Sequence, residues 1–151
     1  STLPAENLLE DDVFKKHLGK FDIMLTSPPY FNREQYSGDA GQSYIKYEEY
    51  PLWRDGFLYN TLNNTYQLLS DGGYMYWNIA DIKANSKYIE LENNSVDISK
   101  SLGFRYIREY KMLMSSMVGL SRKGGDKVLG KNRVEVGERV YKYEPIFVFR
   151  K

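Results

Sequence analysis

The sequence contains no cysteine and a single histidine, His17. Without cysteine there is neither a disulfide framework nor a thiolate zinc site. One histidine leaves little for metal ligation or for a Ser-His-Asp triad, and the surrounding Asp-Val-Phe-Lys-Lys-His is typical of a surface helix. We therefore expect a protein that uses no metal.

Net charge and long apolar runs are also lacking. The 151 residues carry a net charge of +1, which argues against a wholly basic nucleic-acid binder but permits a local basic patch. No apolar run has membrane-spanning length, and the amino end shows no signal-peptide pattern. We expect a cytoplasmic protein without membrane contact, and we interpret residues 1–151 as a single domain because the length suits only one.

Apolar runs and helical spacings alternate along the chain. Short apolar runs bounded by turn residues predict strands, and apolar positions at helical spacing that end in glycine predict helices. This alternation indicates an α/β fold with at least partly parallel strands. The last two strands have no helix between them, which predicts an antiparallel pair at one sheet edge. The predicted strands are 21–25, 73–81, 104–114 and 144–150, and the predicted helices are about 8–18, 48–69 and 87–102.

The stretch FDIMLTSPPYF, residues 21–31, ends the first strand with unusual residue types. Pro28 and Pro29 have no N–H and cannot donate to a neighbouring strand, although their carbonyl oxygens remain acceptors. Ser27 adds a side-chain oxygen, and Tyr30 adds a flat aromatic face. In open α/β sheets ligands bind outside the carboxyl ends of the strands, so we expect a site at this strand end.

Acceptors beside a stacking face suit a planar group that carries an NH₂, such as the exocyclic amine of adenine or cytosine. That amine is a poor nucleophile because its lone pair is delocalised into the ring. Two acceptors that hold its hydrogens would favour a more tetrahedral nitrogen and free the lone pair for attack. A base handled in this way has to leave the duplex stack first, which aromatic stacking helps to stabilise.

The segment TSPPY, residues 26–30, resembles motif IV of the DNA amino-methyltransferases, which use S-adenosylmethionine to methylate adenine N6 or cytosine N4. The resemblance extends over roughly residues 20–151, because three later segments are similar to the family's following steps in the same order. It implies a Rossmann-like methyltransferase sheet, mostly parallel with an antiparallel strand pair at one edge. It also implies S-adenosylmethionine as cofactor and DNA as partner. The later segments are LLSDGGYMYWNIAD, SLGFRYIREYKM and YKYEPIFVFRK.

The resemblance gives roles to the residues of the motif. The Ser27 hydroxyl and the Pro28 carbonyl would hold the amine, and the Tyr30 ring would stack on the flipped base. Serine before the prolines resembles the cytosine-N4 group more than the adenine group, although it occurs in both, so cytosine is slightly favoured. The implied set is catalytic Ser27, Pro28, Pro29 and Tyr30, substrate-binding Phe31, and cofactor-binding Thr26, Ser27 and Asn78.

One part of the family pattern is missing. The family holds its cofactor with a Phe-x-Gly-x-Gly turn after another strand and an acidic residue at the end of the next. Neither is present here, since Gly72-Gly73 precedes a strand rather than following one. We interpret the chain as a partial methyltransferase catalytic domain, with the catalytic half only, and expect the remainder of the fold to come from a longer parent chain.

A glycine-rich and basic connection, residues 119–143, joins the last two predicted strands. Between residues 122 and 133 it has five cations and one acid, Asp126. Phosphate-backbone contact and an ordinary solvated loop are both open interpretations. Residues 125–131 imitate a phosphate-binding loop, but Asn132 stands where Ser or Thr is required, so we reject that reading. The candidate substrate-binding cations are Arg122, Lys123, Lys127 and Lys131.

Other interpretations stay open at this point. TSPPY alone could be an ordinary strand-terminating turn, and Asn78 and Asp81 could be turn or capping groups. Methylation of a glutamine amide in a protein is a second catalytic reading, but its enzymes usually carry Asn before the prolines, and Ser27 argues against it. The chain could also be a catalytically incomplete methyltransferase-like module that binds nucleic acid or a partner subunit.

Overall fold

The computed structural model describes residues 3–33, 42–84, 87–114, 131–137 and 139–151. The chain begins with a 3₁₀-helix, Ala5–Glu10, and a short α-helix, α1, Asp12–Lys15. The Asp11 side chain accepts a hydrogen bond from Val13 N at 2.9 Å and so caps α1. The first strand, β1, follows at Phe21–Thr26.

A continuous helical segment, residues 50–68, leads directly into β2. Its middle turn is π-helical, a local widening that often lies near functional sites, and its two ends are regular α-helix. A separate short helix, α2, precedes it. The bounds are α2 Ser43–Lys46, α3 Tyr50–Trp53, the π-helix Arg54–Leu58, and α4 Tyr59–Leu68.

The remaining elements are mainly strands. Two of them, β3 and β4, form a small separate hairpin, and β6 pairs with the first part of β7. The bounds are β2 Leu69–Asn78, β3 Ile82–Ala84, β4 Lys87–Ile89, α5 Leu91–Ser101, β5 Arg105–Leu113, β6 Arg133–Val136 and β7 Arg139–Arg150.

The main sheet has the strand order β1-β2-β7-β5. Only β1 and β2 are parallel, whereas β7 runs antiparallel to both β2 and β5. The predicted antiparallel pair at one edge is confirmed, because β5 is the outer strand and pairs with β7. The predicted mostly parallel sheet is not confirmed: β7 inserts between β2 and β5, so the described sheet is mixed and mostly antiparallel.

One face of the sheet is covered by α4 and α5. Trp77 of β2 is fully buried on this face and donates its Nε1 hydrogen to Ser95 Oγ of α5 at 3.1 Å. Phe104 packs edge-on against Tyr66 of α4, with ring centroids 4.9 Å apart, and also contacts Phe149 of β7. The hydrophobic core therefore lies between this face and the two helices.

The opposite face of the sheet is open at β1. Ile23 and Leu25 lie on that face beside Tyr74 and Tyr76 of β2, with which they are in register. Their side chains are 62% and 72% exposed. Parallel strand pairs are ordinarily covered on both faces, so this uncovered apolar strip at the sheet edge is unusual.

The predicted strand 21–25 and helix 48–69 match the structure to within two residues, whereas β2 and β7 begin four and five residues earlier than the predicted strands 73–81 and 144–150. The predicted helix 8–18 is two short helices, and the predicted helix 87–102 begins only at Leu91 because Lys87–Ile89 pairs with β3. The predicted connection 119–143 contains β6 and the start of β7 in its second part. No helix in the described part of the chain is long and apolar enough to cross a membrane.

Gly73 sets how closely β2 can approach β1. A Cβ at this position would lie 3.1 Å from Phe21 O and 3.2 Å from Asp22 O, both backbone atoms of β1. We expect Gly73→Ala to lower the free energy of unfolding by about 1–3 kcal/mol through this overpacking, as measured by urea unfolding.

The matched control is Gly137→Asn. Gly137 has φ +63 and no atom within 4 Å of a Cβ, and asparagine tolerates the left-handed region, so we expect a change within about 0.5 kcal/mol. Equal unfolding midpoints for Gly73→Ala and the unsubstituted protein would show that β1 and β2 are not held this closely.

Candidate active site

The double proline turns the chain sharply where β1 ends. Phe31 N donates to Pro29 O at 3.0 Å, and Arg33 N donates to Tyr30 O at the same distance. Phe31 adopts φ +52, a left-handed conformation that is uncommon for a bulky residue. Such strain persists only where the surroundings hold it in place, and it is typical of functional sites.

The turn leaves two of the predicted acceptors available. Ser27 is exposed, whereas Pro28 is buried. Within the described residues, no hydrogen bond reaches the Ser27 hydroxyl or the Pro28 carbonyl oxygen, whereas the Pro29 carbonyl is occupied by Phe31 N. The hydroxyl of exposed Ser27 and the carbonyl oxygen of buried Pro28 therefore have no hydrogen-bond partner within the described part of the chain.

Tyr30 is held in place by β7, a strand that β2 separates from β1 in the sheet. Its hydroxyl donates to Glu144 Oε2 of β7 at 3.2 Å, across 114 positions of sequence. The residue is only 7% exposed, and it forms part of the wall of a cavity. This contact fixes the ring next to the Ser27-Pro28 end of β1.

Phe31 packs in the opposite direction, into the core. Its ring centroid lies 5.6 Å from that of Tyr50 and 5.7 Å from that of Trp53, both edge-on. Trp53 is fully buried and donates its Nε1 hydrogen to Ser43 Oγ at 3.2 Å. This aromatic cluster holds the strained Phe31 backbone, and the predicted substrate contact of Phe31 stays a prediction.

A cavity of about 400 Å³ opens beside Tyr30. This volume lies within the range of small-molecule sites. Its walls come from the turn after β1, the end of β2, the β3–β4 hairpin and the β6–β7 hairpin. The lining residues are Tyr30, Arg33, Ala80, Asp81, Ile82, Lys83, Tyr88, Lys131, Asn132, Lys142 and Glu144.

Asp81 lines this cavity, and its side chain and that of Glu92 each accept a hydrogen bond from the other residue's backbone N–H. Asp81 N donates to Glu92 Oε1 at 3.0 Å, and Glu92 N donates to Asp81 Oδ1 at 2.8 Å. The Asp81 side chain is 1% exposed. The pair joins the segment after β2 to the first turn of α5. A carboxylate near the N-terminus of a helix is stabilised by the helix dipole.

Lys131 is the counter-ion of this acidic pair. Its Nζ contacts Asp81 Oδ2 and lies 3.4 Å from Glu92 Oε2. Partial burial alone would lower the pKa of Lys131, but the hydrogen bond to Asp81 and the charges of both acids raise it above its ordinary value. Asn132 adds a hydrogen bond to Glu92 Oε1 at 2.6 Å, so the start of the β6–β7 hairpin is anchored at the cavity.

The structure places the other predicted site residues as follows. Thr26 is the last residue of β1 and is half-buried beside Trp77. Asn78 is buried, and its amide nitrogen donates to Pro145 O at 3.0 Å, so this part of the side chain already stabilises β7. Lys131 is occupied by Asp81 and Glu92. Arg122, Lys123 and Lys127 lie outside the described residues.

A second and larger cavity, of about 710 Å³, lies on the other side of Phe31. Its walls include Glu48, Glu49 and Glu90, and Tyr50. The Tyr50 hydroxyl is buried without a hydrogen-bond partner among the described residues, and burial raises its pKa to about 12, so it is protonated at neutral pH. Tyr30 and Phe31 thus contribute to two different cavities.

Several residues of the first cavity escaped the sequence analysis. Glu144 was read only as part of a strand, and Arg33, Lys83 and Lys142 were not singled out. These residues are far apart in sequence, and only the folding of β7 next to β2 brings them together. Of the lining residues, Tyr30, Lys131 and Asp81 had been singled out from the sequence, Asp81 as the last residue of the predicted strand 73–81.

Solved structures share this fold. The structure of TTHA0409 from Thermus thermophilus, a candidate DNA modification methylase complexed with S-adenosyl-L-methionine, aligns with a TM-score of 0.62 at 18% identity and covers 99% of this chain and 53% of that one. A selenomethionine derivative of the same protein gives 0.58 at 16% identity, with 99% and 50% covered. The chain thus spans about half the length of these structures. None of the curated proteins matches it.

The sequence itself matches a family model. The model is described as DNA methylase, N6_N4_Mtase, and the match extends over residues 21–151. It begins at the first residue of β1 and includes the whole main sheet, the TSPPY turn and the described walls of the first cavity. The chain belongs to the DNA methylase family.

Proposed function

We propose that this chain carries the substrate-holding half of an enzyme that transfers a methyl group from S-adenosylmethionine to an exocyclic amine of a DNA base. The observation that carries the proposal is the end of β1, where the Ser27 hydroxyl and the Pro28 carbonyl oxygen have no partner in the described structure. Membership in the DNA methylase family supports DNA as the substrate. Cytosine N4 is slightly favoured over adenine N6 because of the serine at position 27.

The protein's part in the reaction is to hold and orient the base. Ser27 and Pro28 accept the two hydrogens of the amine, which draws the nitrogen out of conjugation and exposes its lone pair. Tyr30 stacks on the base and stabilises it outside the duplex. Once the nitrogen is methylated it carries one proton too many, and that proton passes through the hydroxyl of exposed Ser27 to solvent water. Most of the acceleration then comes from positioning rather than from a strong base.

The described residues include candidates to contact the methyl-bearing end of S-adenosylmethionine, but none for its adenosine end. When bound, S-adenosylmethionine supplies a methyl group on a positively charged sulfur. Exposed Ser27 and half-buried Thr26 would face it at the end of β1, whereas the Asn78 amide nitrogen is already bonded to Pro145 O. The sequence has no Gly-x-Gly turn after a strand to receive the adenosine end.

We propose that a complementary half of the fold completes the site by docking on β1. Three observations support this partner: β1 is an edge strand, Ile23 and Leu25 are exposed on the open face, and the chain spans about half of the structures it resembles. A strand added at the free edge, with a helix over the open face, would bury this apolar strip.

The catalytic role is tested by Ser27→Ala in the intact protein that carries this chain. Removing one acceptor leaves the amine conjugated, so we expect the methyl-transfer rate to fall by about two to three orders of magnitude, the usual effect of deleting one preorganised polar group. Transfer of a labelled methyl group to DNA measures the rate, and calorimetry should find the cofactor affinity nearly unchanged.

Ser101→Ala is the matched control. Ser101 is exposed at the end of α5 and bonds only to Ile98 O within its helix, so its removal should leave the transfer rate unchanged. A Ser27→Ala variant that transfers methyl groups as fast as this control would exclude the proposed role of the hydroxyl.

The docking of the complementary half is tested by Leu25→Lys, again in the intact protein. If Leu25 is buried there, a lysine without a partner at this position should lower the free energy of unfolding by at least about 2 kcal/mol in urea titrations. Val13→Lys replaces an apolar residue that is 60% exposed on α1. This control should change the free energy of unfolding by less than about 0.5 kcal/mol. Identical effects of the two lysines would mean that Leu25 is not covered.

A catalytically incomplete module is the second candidate. The lack of a described cofactor turn and the half-length coverage of the similar structures favour it. It would bind nucleic acid or a partner subunit without transferring a methyl group. Cofactor binding by calorimetry together with labelled methyl in DNA would exclude this alternative.

A further inference from the structure

The cavity beside Tyr30 is lined by more cations than anions. Its wall has four basic side chains and two acidic ones, Asp81 and Glu144. Like charges that converge on one cavity repel each other unless an anion or a counter-ion is present. The basic residues are Arg33, Lys83, Lys131 and Lys142.

Both acidic residues already have partners inside the protein. Asp81 is paired with Lys131 and bonded to Glu92 N. Glu144 accepts the hydrogen bond of the Tyr30 hydroxyl. Lys131 is therefore the internal counter-ion, and neither carboxylate forms an ion pair with the other three cations.

Arg33, Lys83 and Lys142 form no ion pair within the described residues. All three side chains are exposed. They come from separate parts of the chain: the turn after Tyr30, strand β3, and strand β7. Within the described residues, three cations without ion-pair partners therefore share the rim of a cavity that is also lined by Tyr30, the predicted stacking residue.

We propose that Arg33, Lys83 and Lys142 form a phosphate-binding rim that holds the DNA backbone on either side of the base in the cavity. The proposal rests on the proposed function, and it identifies which cations contact the substrate. It replaces Lys131 as the phosphate contact, because that ammonium is consumed by Asp81 and Glu92.

Phosphodiester oxygens are the ligand that this arrangement suits. Lysine ammonium groups act as point charges on phosphate, and the arginine guanidinium adds a two-pronged contact. Such contacts position the nucleic acid without reading its sequence. A nucleotide turned out of the duplex exposes its own phosphates to the edge of the pocket that receives the base.

The test is the salt dependence of DNA binding by the protein, measured without cofactor on a labelled duplex of mixed sequence. Each phosphate contact contributes about 0.9 to the slope of log affinity against log salt concentration. We expect Arg33→Gln, Lys83→Gln and Lys142→Gln each to lower the slope by about this amount, and the triple variant to lower it by nearly three times as much.

Two controls separate the rim from general charge effects. Lys16→Gln removes an exposed lysine that follows α1 and does not line the cavity, and it should leave the slope unchanged. Lys131→Gln should lower the urea midpoint because it leaves Asp81 unpaired, with little change in slope. Urea unfolding of the rim variants should match that of the unsubstituted protein because all three side chains are exposed.

The rim is excluded by an unchanged slope in the triple variant, by an equal loss in Lys16→Gln, or by absence of DNA binding in the unsubstituted protein. It is also excluded if the triple variant loses affinity for S-adenosylmethionine but not for DNA. A reduced slope in a protein that transfers no methyl group supports the rim and contradicts only the proposed reaction. An unchanged slope with normal methyl transfer excludes the rim alone.

Discussion

The rest of the site depends on the missing N–H groups of Pro28 and Pro29. Because neither residue can donate to a neighbouring strand, β1 ends at Thr26 and the chain turns over Tyr30, with Phe31 N bonded to Pro29 O. The turn places the two rings on opposite sides, Tyr30 toward Glu144 and Phe31 into the core. It also leaves the Ser27 hydroxyl and the Pro28 carbonyl oxygen without a hydrogen-bond partner among the described residues, and these two oxygens are the proposed acceptors for the amine.

Part of the fold could be predicted from the sequence because β1 is a short apolar run that ends at two prolines, and because residues 48–69 have apolar positions at helical spacing. The motif at 26–30 was recognisable because two prolines at a strand end restrict the backbone whatever surrounds them. Strand directions were harder, since they depend on the long-range insertion of β7 between β2 and β5. The β3 and β4 strands have three residues each, too few to show a period against a helical background.

The side chains of the cavity were also hard to predict, because they come from segments that are distant in sequence. Local sequence drew attention to the basic run around residues 122–131, but Lys131 is bound to Asp81 and Glu92. Tyr30 meets Glu144 across 114 positions, and no local pattern indicates such a pair. The exposed strip at Ile23 and Leu25 was equally hidden, since alternating burial cannot be distinguished from an uncovered face without the neighbouring elements. The sequence of β1 is typical of a buried strand, but in the structure only one of its two faces is covered.

The most direct test of the account is the chemical position of the transferred methyl group. The intact protein that carries this chain is incubated with DNA and S-adenosylmethionine, and the DNA is then digested to nucleosides and analysed by mass spectrometry. Because Ser27 and Pro28 hold the two hydrogens of an amine, the account predicts methyl on an exocyclic nitrogen, as N4-methylcytosine or N6-methyladenine. Methyl on a ring carbon, as in 5-methylcytosine, or methylated protein in place of methylated DNA would contradict it.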